Sequence, residues 1–250
     1  MSLCKRKWPC IREYWFNQDF RVEQQDIALL YQYEKVPEQS FSKEEKHTLV
    51  IDLKENEEKL FTAVKKNTKY EIRRAQEKDA LAMQYFAEPS EKILSDFVLF
   101  YNEFAKQKAR ASIDLNFVKI YADAGYLCLA NISKDDEALV WQAYLLINGR
   151  ARLLLSASLF RDEDSAKRQL IGRANRLLHW LLVLEFKKLG ASILDLGGWY
   201  AGSEDKAMLQ INEFKESFGA YPVKEYNLVI AQTFLGALYL RVKKIIASLR

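Results

Sequence analysis

Cysteine, histidine and proline are scarce in this chain of 250 residues, with three, two and four copies. Cys4 and Cys10 flank Lys-Arg-Lys-Trp-Pro, without a second cysteine pair or a histidine cluster that would complete a zinc site. The cysteines therefore read as free thiols in a reducing compartment. With His47 and His179 as the only histidines, no metal is expected. Long apolar runs are missing too: nothing reaches the ~18 residues that a membrane-spanning helix needs. No signal peptide opens the chain, so the expectation is a cytoplasmic protein. Neither sign of charge dominates. The net charge of +4 excludes a DNA binder by bulk charge, and any anion site must come from local clustering.

What is present is core-forming material. The chain is 49% hydrophobic, with 14 Phe, 13 Tyr and 5 Trp, enough for one large domain or a domain with a sizeable extension. Residues 1–53 read as short strands: Arg12–Val22, Ile27–Val36 and His47–Leu53 are rich in aromatic and branched residues and separated by polar breaks. One helix is expected from Glu55 to Lys78, with a basic outer side of Lys65, Lys66, Lys69, Arg73 and Arg74. From residue 82 the expected order is β-α-α-β-β-β-α-β-α-β. Ser90 and Asp114 are N-cap candidates, Asn148-Gly149 is a hairpin turn, and Gly190 closes the long helix 170–189. The last segment, 234–250, is a basic amphipathic helix. It either packs on the domain or serves as a peripheral membrane contact.

Arg152–Gly198 reads strand, loop, helix, strand. Gln169, Ile171, Gly172, Arg173 and Ala174 are expected where the loop becomes the helix. There a glycine and free N–H groups suit a phosphate or pyrophosphate. Asp195 ends a short apolar strand, before Gly197-Gly198-Trp199-Tyr200. A carboxylate there can act as a general base, hold a substrate amine or cap the loop. His179 reads as a hydrogen-bonded structural histidine within the helix.

The element order and Gln169-x-x-Gly172-x-Ala174 resemble the GNAT superfamily of acyltransferases. Asn67–Ala75, Ala174-Asn175 with Leu178-His179-Trp180, Asp195–Gly198, and Phe214-Lys215 with Phe218-Gly219 resemble the Fem-like group within it. The resemblance implies an α+β fold with a mixed sheet: a complete GNAT-like acyltransferase domain over 81–250, and a partial N-terminal GNAT-like unit over 1–80. It implies an N-acyltransferase that moves an acyl group from acyl-CoA to a primary amine of a small molecule or a cell-envelope precursor. The alternatives are a Fem-like aminoacyltransferase using aminoacyl-tRNA, and a catalytically degenerate fold acting as a binding module. The resemblance places coenzyme A against the amides of Gln169, Ile171, Gly172, Arg173 and Ala174. The strand residues Leu155, Ser156 and Ala157 would face the acyl carbonyl. Asp195, Lys215 and Tyr200 become the catalytic candidates, and Arg73, Arg74 and Trp199 the acceptor-binding ones. One departure stands out: Phe214 occupies the region where many GNAT enzymes carry the tyrosine that protonates the leaving thiolate.

Overall fold

The computed structural model describes residues 3–16, 25–38, 40–159 and 163–248. The first elements are β1 (Leu3–Arg6), β2 (Ile11–Trp15), β3 (Ile27–Tyr33), β4 (Ser42–Asp52), α1 (Glu57–Ala63) and α2 (Lys66–Lys78). Next come β5 (Ala82–Phe86), α3 (Glu91–Gln107), α4 (Leu115–Asp123), β6 (Leu127–Lys134), β7 (Glu137–Ile147) and β8 (Arg150–Ser158). The chain continues through α5 (Ser165–Lys188), β9 (Ile193–Gly198), α6 (Lys206–Glu216), β10 (Tyr221–Ala231) and α7 (Phe234–Ser248). From residue 82 onward this is the order expected from the sequence. Before it, β1 was not anticipated, and the second half of the expected strand Arg12–Val22 lies outside the described residues.

The chain divides into two compact units, Met1–Thr48 with Pro222–Arg250, and Leu49–Tyr221. Residue 80, where the sequence leads one to expect a division, falls inside the second of these units. The reason is packing: Leu60, Val64, Ile72 and Ala75 of the α1–α2 region join Ala174, Leu177 and Leu178 of α5 in one core. In turn, β10 pairs antiparallel with β3 from Ala231↔Ile27 to Tyr226↔Tyr33.

In the first unit β2 runs parallel to β3 and antiparallel to β1. Its small core is Tyr14, Ala28, Leu30, Tyr33, Leu228 and Ile230. Helix α7 docks closely at one point: a Cβ on Gly236 would collide with the Asp26 carbonyl. The Arg6 guanidinium lies over the Tyr239 ring and donates to its hydroxyl at 2.9 Å. The opposite side of α7 exposes Phe234, Leu235, Leu238, Val242, Ile245 and Ile246. At 100° per residue these six fall on one stripe, with Arg241 and Lys243 on its two borders.

In the second unit the strand order is β9-β8-β7-β6-β5. Gln142 bonds to α5, while its neighbour Trp141 meets Phe97 of α3. Consecutive strand residues point to opposite faces, so α5 and α3 cover opposite sides of the sheet. Asn148 and Gly149 both take positive φ in the β7–β8 hairpin, as the turn chemistry requires. The single helix expected over 55–78 is two, broken at Val64-Lys65, where Val64 is extended. Breaking a helix forfeits a hydrogen bond, worth ~1 kcal/mol net. The break is offset because the Lys65 N–H bonds Ser217 O at 2.8 Å. It also buries Val64 to 2% exposure, worth ~1.5–3 kcal/mol.

Candidate active site

Strands β8 and β9 pair in parallel over only three positions, Arg150↔Ile193, Ala151↔Leu194 and Arg152↔Asp195. Beyond Arg152, β8 runs on to Ser158 beside β7, while β9 runs on to Gly198. Two local features part them. The register with β7 shifts between Ala143↔Leu155 and Tyr144↔Leu153, an irregularity that bends β8 where the pairing with β9 ends. Gly197 sits at φ +79°, and its N–H turns to Asp195 Oδ1 at 2.7 Å. That conformation favours glycine. Leu155, Ser156 and Ala157 lie on the parted stretch of β8, opposite Ala143, Gln142 and Trp141. Backbone N–H groups alternate in direction along an antiparallel strand, so alternate amides there face the cleft.

Asp195 lies at the base of the cleft and is fully buried. One oxygen accepts from Arg150 Nη2 at 2.7 Å and from Arg152 Nη1 at 2.8 Å, while the other holds the Gly197 N–H. Of the roles open to it from sequence, this geometry matches the anchor of the following loop, since both oxygens are engaged.

Lys215 of α6 reaches the mouth of the same cleft, donating from Nζ to Gly198 O at 2.7 Å. Burial lowers its pKa to about 8; Asp195 opposes that shift and Arg152 adds to it. The flanking loop is pinned to the same helix. Trp199 Nε1 donates to Glu216 Oε1 at 3.0 Å, and Asn212 brackets the Tyr200 backbone through its N–H and carbonyl. The Tyr200 ring folds back over Gly202. Lys215, Trp199 and Tyr200 are thus assembled around one loop–helix junction.

Behind Lys215 is a polar cluster that sequence reasoning missed as a unit. Gln142 Nε2 lies 2.9 Å from His179 Nδ1, and Tyr144 donates its hydroxyl to Gln142 Oε1 at 2.9 Å. His179 Nδ1 is also 2.9 Å from Asn175 O, and the ring packs between Phe214 and Phe218 of α6. Burial drives the His179 pKa down to about 4, against the Asn175 bond and helped by the nearby charges of Lys215 and Arg176. The imidazole is therefore neutral near pH 7. Gln142, a lone amide inside an otherwise apolar strand, was the signal available in the sequence.

The expected donor loop is corrected by the structure. Helix α5 begins at Ser165, with Asp164 as N-cap accepting from Lys167 N at 2.8 Å. Gly172 lies two turns inside the helix, so the amides of 170–174 belong to its hydrogen-bond ladder and are closed to a pyrophosphate. Ile171 and Ala174 face the core. Arg173 is buried and clamped on Asp79 through Nε and Nη2, at 2.5 and 3.0 Å, which raises its pKa. The apolar run that suggested a start near residue 170 marks only where α5 becomes buried. Gln169, Gly172 and Arg173 do meet Arg74, across a cavity of about 420 Å³ between α2 and α5. Arg74 and Arg73 also line a second cavity of about 620 Å³ along α2, and Arg73 lies over the Phe61 ring.

No family model and no curated protein matches the sequence. Solved structures do. FemX superposes with a TM-score of 0.61 at 12% identity, covering 78% of this chain and 63% of its own. L-PGS from Bacillus licheniformis gives 0.53 at 11%, covering 82% and 67%. The C-terminal domain (DUF2156) of a lysylphosphatidylglycerol synthetase-like protein from Agrobacterium fabrum gives 0.52 at 13%, covering 88% and 72%. The chain thus spans somewhat under two thirds of the FemX length. The chain shares the mixed α+β fold of FemX.

Proposed function

We propose that this Fem-like GNAT fold is an N-acyltransferase, joining an activated acyl group to a primary amine of a small molecule or cell-envelope precursor in the cleft between β8 and β9. The observation that carries the reading is Lys215, a partly desolvated ammonium at the mouth of two parted strands. In the transfer, the amine nitrogen attacks the acyl carbonyl and a tetrahedral oxyanion forms. The cleft-facing amides of β8 and the Lys215 cation are the donors that stabilise it. The bond to the leaving group then breaks. The leaving atom takes a proton from Lys215, and the proton shed by the attacking amine restores it. An ammonium with a pKa near 8 is a stronger acid than an ordinary lysine, and so replaces the tyrosine absent at Phe214. Asp195 holds Arg150, Arg152 and the Gly197 turn, and thereby the shape of the cleft. Trp199 and Tyr200 line the acceptor side.

The donor reading shifts with the geometry. The amides of 170–174 do not fit the pyrophosphate of coenzyme A, and the acidic N-cap Asp164 disfavours an anion at the true helix start. An aminoacyl ester, as in aminoacyl-tRNA, is favoured over acyl-CoA. Its leaving alkoxide also needs a proton more than a thiolate does, which suits Lys215. Peripheral membrane contact through 234–250 belongs to the same reading: the exposed stripe of α7 with its basic borders suits an anionic surface.

The test is turnover of Lys215→Met with acyl-CoA and aminoacyl-tRNA donors against an amine panel. Loss of ~10²–10³-fold is expected, the range for removing one such electrostatic donor. In the native protein, activity should fall as pH rises through about 8, where Lys215 loses its charge. Native turnover in Lys215→Met would sink the reading.

A further inference from the structure

A cavity of about 580 Å³ lies on the face of the sheet opposite α5, over the edge strands β5 and β6. Its floor follows from strand register. Gln84 pairs with Asn131 and Asn131 with Trp141, so the three form one cross-strand row. Trp141 meets Phe97 of α3, which places the whole row on the α3 face. Helix α3 packs on β7 and β8, so it overhangs the edge strands. The overhang is the side of the helix that carries Ile93, Leu99 and Phe100, next to its buried stripe of Leu94, Phe97, Tyr101 and Phe104.

Two observations say what such a space would hold. The first is Asn131, which is 4% exposed. Its Nδ2 donates to Gln84 Oε1 at 3.3 Å, but its Oδ1 is buried with no hydrogen-bond partner. A carbonyl kept from water and left without a donor is costly. Ser133, the next polar group on the floor, gives its proton to the Ala82 carbonyl at 3.4 Å. The second observation is charge. Lys92 and Asp96 cancel each other at 2.7 Å. Asp136, in the β6–β7 turn at the rim, is exposed and joins no ion pair among the described residues. The cavity thus offers a covered carbonyl, an open carboxylate and an apolar wall. We infer that it binds a small organic cation, whose ammonium meets Asp136 and whose apolar body presents an N–H to Asn131 Oδ1. Ile93, Leu99, Phe100 and Trp141 line the space for that body. Its volume falls in the range of small-molecule sites. The cavity shares no lining residue with the cleft at Lys215 and Asp195 among the described residues, and β7 stands between β6 and the cleft strands. The cation is therefore a second ligand and not the acyl acceptor.

The experiment is a calorimetric titration of the full chain at low salt, with tryptamine as the probe. Tryptamine joins an ammonium to an apolar ring that bears an N–H. Phenethylamine lacks the ring N–H, and indole-3-propionate reverses the charge. Tryptamine should bind, phenethylamine should bind roughly three- to tenfold more weakly, and indole-3-propionate should not bind. Asn131→Leu should weaken tryptamine by the same factor and erase its advantage over phenethylamine. Asp136→Asn should weaken both amines roughly two- to fivefold, the range of an exposed ion pair. Asparagine tolerates the positive φ of 64° at that turn, so this variant keeps the test valid if Asn131→Leu does not fold; thermal unfolding checks both. In heteronuclear NMR the Asn131 side-chain amide and the Trp141 indole N–H should shift as tryptamine is added. No binding of tryptamine, equal binding of indole-3-propionate, unmoved Asn131 and Trp141 signals, or unchanged binding in the folded variants overturns the inference. Lys215→Met should bind tryptamine as the native chain does. Loss of binding in that variant would place the amine in the cleft and equally overturn the inference, so this site and the acyltransferase reading fail separately.

Discussion

Asp195→Asn separates a carboxylate that builds the cleft from one that does the chemistry. The substitution preserves volume and leaves an oxygen for the Gly197 N–H, so what is lost is chiefly charge. In the native protein one oxygen carries both ion pairs, at 2.7 Å to Arg150 and 2.8 Å to Arg152, and the side-chain exposures are 0%, 9% and 21%. Removing one member of a buried ionic group leaves its partners uncompensated and costs ~3–5 kcal/mol. Arg150 bears most of that cost, because Arg152 has partial access to water. At ~2–4 °C per kcal/mol for a chain of this size, the midpoint should fall by roughly 6–20 °C. Differential scanning calorimetry on native and variant chains measures it. Turnover should decline only as far as the cleft loosens, and the double variant Asp195→Asn/Arg150→Met should recover part of the lost stability. A midpoint within ~3 °C of native together with abolished turnover would refute the reasoning and assign Asp195 to proton transfer.

Two other outcomes are expected. His179 should stay neutral from pH 8 to pH 5 by NMR. Its folded pKa of about 4 lies below the unfolded value of 6.5, so the unfolded chain binds more protons between those values. Stability should therefore fall as pH drops from 6.5 toward 4, and His179→Gln should remove that part of the slope; an imidazole titrating near 6.5 contradicts this. For α7, the chain should float with vesicles containing phosphatidylglycerol and not with phosphatidylcholine vesicles, and Leu238→Asp with Ile245→Asp should abolish flotation. Equal flotation of the double variant would defeat the membrane reading.

The order of elements from residue 82 was legible because each junction carries local chemistry: Ser90 and Asp114 as caps, Asn148-Gly149 as a hairpin turn, Gly190 as a stop. The start of α5 was not. Its first turn, Ser165–Arg168, is polar and looks like loop, and the cap that starts it, Asp164, was one acidic residue among several. The break at Val64-Lys65 was hidden for a different reason. It is set by Ser217, far along the chain, whose carbonyl receives the Lys65 N–H. At the cleft, Lys215 and Asp195 stood out by type and position. The two arginines that hold Asp195 did not, because their meaning depends on strand register. Of the cluster of Gln142, Tyr144, Asn175 and His179 only the lone amide Gln142 was a signal, since the cluster joins a strand to the helix packed on it, far apart in sequence.

The pairing of β3 with β10 also sets an order of events in folding. Leu30 meets Leu228, and Ile27 meets Ala231, so the first unit closes only after the whole of the second has been synthesised. A chain emerging from the ribosome can complete the Leu49–Tyr221 unit while β3 still presents an unsatisfied edge. An open strand edge is a template for pairing with another chain, and its exposure lasts as long as synthesis of the intervening residues. Truncation before residue 231 should accordingly leave the second unit intact and turn the N-terminal strands into the aggregation-prone part of the molecule.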